Sequence, residues 1–327
     1  METYQKLEQD WASFNQLDPA GMVACSSGTA ALHLALEAFQ LPQGSEVIVP
    51  DFTMIAVPRA VVMAGLAPVF VDCCDDLNMD HQLAQQAIMT QHPYLRAAIL
   101  VHTYGRQIKW FPAKHRFAFN LPVIEDLAEA HSVSPHPLTD AACWSFYKNK
   151  IIAGEEGGAV WFRDSNRAAL ARQLRSLGFT DAHDFTHVPR GHNYRMSNAH
   201  AALVLKSLRA AKHNIACRHA LEYMLNEWCP KEWRMPTRNA PWVYDFRIPN
   251  MTSADQTKIV TALKASGIAA RHAFKPMSHQ YEFLKSKRID TGKHFAGVTA
   301  REVVYIPLDR ATRYGTDPFD TVREALS

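Results

Sequence analysis

Three short segments carry residues able to do chemistry. The first, Cys25–Leu32 (CSSGTAAL), places small residues where a strand pattern gives way to a helical one. Backbone N–H groups at such a helix start lack intrahelical partners and can bind a phosphate, and Gly28 lets the anion approach closely. The same residues also fit an ordinary capped helix with Ser27 or Thr29 at its start. The second segment, Val123–His131 (VIEDLAEAH), is an apolar run that ends in two acids. Carboxylates at the carboxyl end of a parallel strand face the crevice where α/β proteins bind ligands. Asp126 can hold a ring nitrogen protonated there, or simply cap the following helix. The third, Cys143–Val160 (CWSFYKNKIIAGEEGGAV), sets Lys148 and Lys150 between an apolar strand and a glycine-rich turn. Most lysines are solvated, but one desolvated by such a turn has a lowered pKa and can act as an amine nucleophile toward a carbonyl.

The surrounding sequence supplies elements that could position these groups. Short β-branched runs at Met22–Cys25, Glu46–Val49, Pro68–Val71, Ala97–Val101 and Pro122–Glu125 alternate with helical patterns at Thr29–Phe39, Met54–Ala64 and Asp80–Ile88. Such alternation predicts crossover units on a largely parallel sheet, hence an α/β fold. After Arg190 the pattern changes. Residues from Ser197 to Trp228 read as one long helix with Ser197 as N-cap, and Trp242–Ile248 and Val303–Ile306 read as strands. Ser253-Ala-Asp-Gln256 resembles a capping box for a helix ending near Gly267, and a last helix is expected from Pro318. We expect a large domain over 1–212 and a small α+β domain over 213–327.

Composition excludes several classes. With 327 residues, 47% apolar and 20% charged, the chain can bury a substantial core and is not expected to be disordered. Its most apolar stretch, Ile55–Val71, is broken by Pro58, Arg59 and Pro68, so no membrane span is expected. The amino terminus carries charges of both signs and no apolar core, so a cytoplasmic location is expected. Six cysteines without CxxC spacing read as reduced core residues, and sixteen histidines without HExxH spacing predict no metal. The net charge of +3 suits an anionic small molecule and does not by itself call for nucleic acid.

Taken together, the three segments closely resemble the DegT/DnrJ-type sugar aminotransferases, enzymes of fold type I (aspartate aminotransferase-like) that use pyridoxal phosphate. Further matches at 46–53 (EVIVPDFT), 67–72 (APVFVD), 191–198 (GHNYRMSN) and 271–280 (RHAFKPMSHQ) extend the resemblance over almost the whole chain. It implies that Lys150, five positions after the phosphate-binding Ser145, is the lysine joined to the cofactor and the proton-transfer base, with no role for Lys148. Gly28, Thr29 and Ala30 match the phosphate-binding turn, and Asp126 matches the partner of the pyridine nitrogen. A homodimer with shared active sites is implied, with Asn193 serving the partner's cofactor phosphate. Arg195, Arg271 and His279 lie in segments that face the active site in relatives and are candidate substrate contacts.

Three departures accompany the match. Met54 stands where an aromatic residue usually covers the cofactor ring, a sulfur–aromatic contact in place of stacking. Glu129 stands where a Gln or His commonly donates to the cofactor's 3′ oxygen, so its carboxyl must be protonated or turn away. The sequence starts almost directly at the first large-domain helix, without the amino-terminal arm of many relatives. The resemblance implies transfer of an amino group from glutamate or glutamine to a keto or aldehyde group of a sugar-like or nucleotide-linked acceptor. The alternative is decarboxylation or elimination by the same cofactor on an amino-acid-like or nucleotide-attached substrate. Intact Lys150, Asp126 and Ser145 argue against a non-catalytic protein that has merely kept the fold.

Overall fold

The computed structural model describes residues 1–91, 94–109, 121–180, 185–290, 292, 295–308 and 317–327. Its strands, in chain order, are β1 (Met22–Cys25), β2 (Glu46–Pro50), β3 (Ala67–Val71), β4 (Leu95–Val101), β5 (Val123–Asp126), β6 (Ala141–Ser145), β7 (Gly158–Phe162), β8 (Val243–Arg247), β9 (Arg271–His272), β10 (Lys287–Ile289) and β11 (Val303–Pro307). Eight of them form one sheet in the order β1-β7-β6-β5-β4-β2-β3-β10, and the other three form a second sheet, β8-β11-β9. In the large sheet only β7 runs against its neighbours, β1 and β6.

Alternate residues of β1 enter opposite cores. Met22 and Ala24 join Leu7 and Trp11 of the first helix, Thr3–Phe14, whereas Val23 and Cys25 meet Leu32, Leu34 and Leu36 of the helix Gly28–Ala38. Both faces of the sheet are therefore covered, which is why its strands read as near-continuous apolar runs. β1, β5 and β6 run the same way, so their carboxyl ends lie along one edge of the sheet. The three segments with chemical potential follow or occupy those ends.

Several local expectations need correction. The stretch from Ser197 to Trp228 is two helices, Asn198–Arg209 and Ala211–Trp228, separated at Ala210 (φ −92°, ψ 6°). Ser197 does cap the first, its side chain accepting the His200 N–H. The capping box of the helix Ser253–Ala265 is Thr252 with Asp255, one residue earlier than expected. Gln256 is unavailable for that job because its buried amide donates to the Ala300 and Val303 carbonyls at 2.8 and 2.7 Å. Within 213–327, β10 does not join the smaller sheet: it pairs in parallel with β3 at the edge of the larger one. Cys74 and Cys217 are half-buried, and the other four cysteines are core residues.

The two sheets are tied by buried charge. Arg106, after β4, donates to Asp245 of β8 at 2.9 Å and to the Pro236 carbonyl at 2.8 Å. Arg238 bonds the same carboxylate and also Glu222, at 2.7 Å, in the helix Ala211–Trp228. All four side chains are buried, so each charge depends on the others for the solvation that water would give. A second tether is Asp51, which follows β2 and accepts both the N–H and the hydroxyl of Ser278 at 2.7 and 2.8 Å. No helix among the described residues is long and apolar enough to cross a membrane.

Candidate active site

The carboxyl ends of β1, β5 and β6 border a cavity of about 380 Å³ that Lys150, Asp126, Glu129, Ser145, Gly28, Thr29, Met54 and Arg271 all line. Its phosphate end is built from two packed turns. Ser27 caps the helix Gly28–Ala38 by accepting the Ala30 N–H at 3.1 Å, so Ala30 is spent on the cap and does not line the cavity. Gly28 and Thr29 do, beside Ser145 at the end of β6. A Cβ added to Gly28 would come within 2.7 Å of the Ser145 Cβ, which is why glycine alone fits between this helix start and the hydroxyl. Small side chains thus leave a cradle of backbone and hydroxyl groups at a helix N-terminus, the chemistry a phosphate dianion needs.

The reactive end is more buried. β5 delivers Glu125 and Asp126 to opposite sides of the sheet. Glu125 is wholly buried and accepts from His102 at 2.9 Å, from the His136 N–H at 2.8 Å and from the Thr139 hydroxyl. Against the cost of burial, those donors hold its pKa below the ordinary carboxylate range, and it plays no part in the cavity. Asp126 faces the cavity with a single hydrogen bond in the described network, from the Ala128 N–H at 2.9 Å. Burial raises its pKa, opposed by that N–H, Lys150 and His102. Such a carboxylate gains most from a cation brought to it, and a protonated ring nitrogen is one.

Lys150 sits in the turn between β6 and β7, its N–H bonded to the Tyr147 carbonyl at 2.8 Å. Its ammonium lies 3.9 Å from Glu129 Oε1 and 3.9 Å from the centroid of the Trp242 ring. Burial lowers its pKa, opposed by Glu129 and Asp126, which moves it toward the neutral amine that nucleophilic and base chemistry requires. Lys148, by contrast, is exposed beside Tyr147. Burial drives Glu129 the other way, up to about 7, although Lys150 and the Tyr104 N–H at 2.8 Å both favour its anion. A carboxyl near that value is able to carry a proton at neutral pH, so it can stand beside a phenolate oxygen as a donor. The bond from Tyr104 costs strain: this buried residue adopts a left-handed backbone (φ 53°, ψ 26°).

Asn193, Arg195 and His279 do not line the cavity, and all three are exposed. Asn193 and its neighbours run beside the end of the helix Ser165–Arg175, with the Tyr194 N–H bonded to the Arg175 carbonyl at 2.9 Å. His279 lies in the 3₁₀ turn Met277–His279 that Asp51 holds. Met54 is half exposed at the cavity wall. Trp242, Phe274 and Tyr305 also line the cavity and carried no sequence signal as site residues. Trp242 was legible only as a strand residue, yet it lies just before β8 and its indole N–H fixes the Asn149 carbonyl at 2.8 Å, next to Lys150.

Residues 2–326 match the DegT/DnrJ/EryC1/StrS aminotransferase family. The chain belongs to it. Among curated relatives, GDP-perosamine synthase of Caulobacter vibrioides is 34% identical over 270 residues, spanning 78% of this chain and 72% of that protein. UDP-N-acetyl-3-dehydro-alpha-D-glucosamine 3-aminotransferase of Acidithiobacillus ferrooxidans is 30% identical over 298 residues, spanning 88% of this chain and 78% of that one. The crystal structure of 3-amino-5-hydroxybenzoic acid synthase superposes with a TM-score of 0.87 at 23% identity, covering 99% of this chain and 90% of that chain. The aminotransferase thus has the fold type I architecture expected of it and uses pyridoxal phosphate. The residues lining the cavity fit that cofactor: an anion cradle at one end, a buried carboxylate and a desolvated lysine at the other.

Proposed function

We propose that this aminotransferase moves an amino group from glutamate or glutamine to a keto or aldehyde carbon of a sugar-like, nucleotide-linked acceptor. The observation that carries the reading is Lys150, desolvated between Glu129 and Trp242 in the cavity that Asp126 and Ser145 also border. Sugar-nucleotide names among its relatives support the acceptor class. Arg218 and Arg271 border a hollow that adjoins the cavity, a pair of cations suited to an anionic substrate.

Gly28, Thr29 and Ser145 would hold the cofactor's phosphate, Asp126 its ring nitrogen and Lys150 its aldehyde carbon. When bound, the cofactor supplies the electron sink that makes a C–H bond of the substrate acidic. Lys150 Nζ, its pKa lowered by burial, would accept that proton from the substrate carbon and return it to the carbon on the far side of the bridging nitrogen, so one base serves both halves of the exchange. Trp242 and Glu129 keep the amine on that path, and Tyr104 restrains Glu129. Incubating the loaded enzyme with L-glutamate should release one equivalent of 2-oxoglutarate per site, bleach the yellow colour and evolve no carbon dioxide. Carbon dioxide released with each turnover, and a colour that persists, would assign the enzyme to decarboxylation instead.

The active unit is, in this reading, a homodimer with shared sites. Asn193 is exposed and outside its own chain's cavity, as expected for a side chain that serves a partner's phosphate, to which its amide adds a donor without adding charge. Mixing inactive Lys150→Ala and Asn193→Ala subunits should restore activity toward about a quarter of the parent by random exchange, because one site of each mixed dimer is then intact. Mixed dimers that stay inactive would place the whole site within one chain.

A further inference from the structure

Away from the cavity, on the helix Gly28–Ala38, lies a second cluster that the transamination site does not use. His33 and Glu37, one helical turn apart, meet His192 from the segment beside the helix Ser165–Arg175. One ligand atom from each lies within 4.8 Å of the other two. His33 is 2% exposed and Glu37 9%. The His33 and His192 rings are 4.7 Å apart between centroids, and the Nε2 atom of each is buried without a hydrogen-bond partner. His33 Nε2 instead faces Glu37 Oε1 at 3.6 Å, and the Met63 carbonyl is a further acceptor beside the same ring. Nδ1 of His33 is held by the Tyr194 hydroxyl at 3.1 Å.

Two unsatisfied ring nitrogens and a carboxylate converging on one point are costly to bury unless something positive fills the space between them. We propose that His33, Glu37 and His192 bind one divalent transition-metal ion of the zinc type, with a fourth position open to water. Two imidazoles and a carboxylate are a donor set that such ions favour over magnesium or calcium. Tyr194 occupies the place of the outer partner that a metal-ligating histidine characteristically has on its other nitrogen. Tetrahedral bonds of about 2.0–2.1 Å put donor atoms about 3.3 Å apart, so the widest gap in the cluster must contract by up to about 1.5 Å. His192 is half-buried in a non-helical segment, which gives its ring the freedom to do so. Arg190, 3.7 Å from Glu37 Oε2, is the competing cation; it takes the second carboxylate oxygen and leaves Oε1 to the metal. The ion would staple residues 190–194 to the helix whose first turn borders the cofactor cavity.

The test uses the untagged full-length holoenzyme after chelator treatment, titrated with cobalt(II) and then zinc(II). One cobalt per chain with the visible absorption of a four-coordinate site, displaced by zinc, is the expected result, together with a zinc-dependent rise in melting temperature. Glu37→Gln and His192→Phe should each weaken cobalt binding at least tenfold. No cobalt absorption in the parent protein overturns the proposal, whatever the variants do. Binding unchanged in Glu37→Gln, which keeps the shape of the side chain, overturns it equally, since the metal would then sit at some other of the chain's histidines. If His192→Phe fails to fold, Glu37→Gln decides.

Discussion

Lys150→Ala should fold and retain the cavity yet lose turnover by on the order of 10⁵-fold or more, the scale seen when a covalent and proton-transfer group is removed. Among the described residues its side chain is the one amine placed against both Glu129 and Trp242, and neither neighbour can replace it: an indole accepts no proton, and the Glu129 carboxyl, which can, forms no imine. Lys150→Arg should be no better, because a guanidinium stays protonated and cannot act as the base. Lys148→Ala, on the exposed side of the turn, should stay within a few fold of the parent. Steady-state kinetics on the three variants check this, and borohydride reduction followed by peptide mapping should find the cofactor fixed on Lys150. A reduced adduct on Lys148 would move the whole assignment.

Asp126→Asn should cost several kcal/mol of transition-state stabilisation, about 10²–10³-fold in kcat, with little change in fold. The asparagine carbonyl can still accept the Ala128 N–H, so the turn after β5 survives while the negative charge does not. A neutral amide cannot hold a ring nitrogen protonated, and the loss should fall on kcat because the charge matters most as electrons flow toward the ring. Activity within tenfold of the parent would mean that the nitrogen needs no anion. Circular dichroism and cofactor content on the same sample separate lost chemistry from lost binding.

Much of the site was legible because its parts sit where strand patterns stop. Asp126 and the Lys148/Lys150 pair each follow an apolar run whose direction along the chain fixes the edge of the sheet on which they emerge, whereas Ser145 and the choice of Lys150 over Lys148 came from the family resemblance. Gly28 was legible for the same reason, as the small residue at a strand-to-helix change. Ala30 was placed one step too far along that turn, since nothing in the sequence says which N–H the Ser27 hydroxyl will take. Trp242 and Tyr305 were not legible as site residues because their partners lie far away along the chain, and a cation over a ring leaves no spacing to read. The break at Ala210 has no proline or glycine to announce it, so one continuous helix was the natural expectation. β10 is three residues long and joins β3 from the far side of the sequence, a pairing that only the assembled sheet selects.

The buried quartet of Arg106, Asp245, Arg238 and Glu222 has an evolutionary corollary. Active-site specificity in such an enzyme could be retailored by exchanging the carboxyl-terminal third of the chain with that of a cousin, and the cavity lining invites it, because Trp242, Arg271 and Tyr305 all come from that third. The graft would carry Asp245, Arg238 and Glu222 along, but leave Arg106 behind with the host. A donor lineage that meets Asp245 with any other residue at the position of Arg106 would leave one charge stranded in the dark between the sheets, at a cost of about 3–5 kcal/mol. Recombination is therefore filtered by inheritance at a site that touches no substrate, and successful shuffles should be those in which both parents share that arginine.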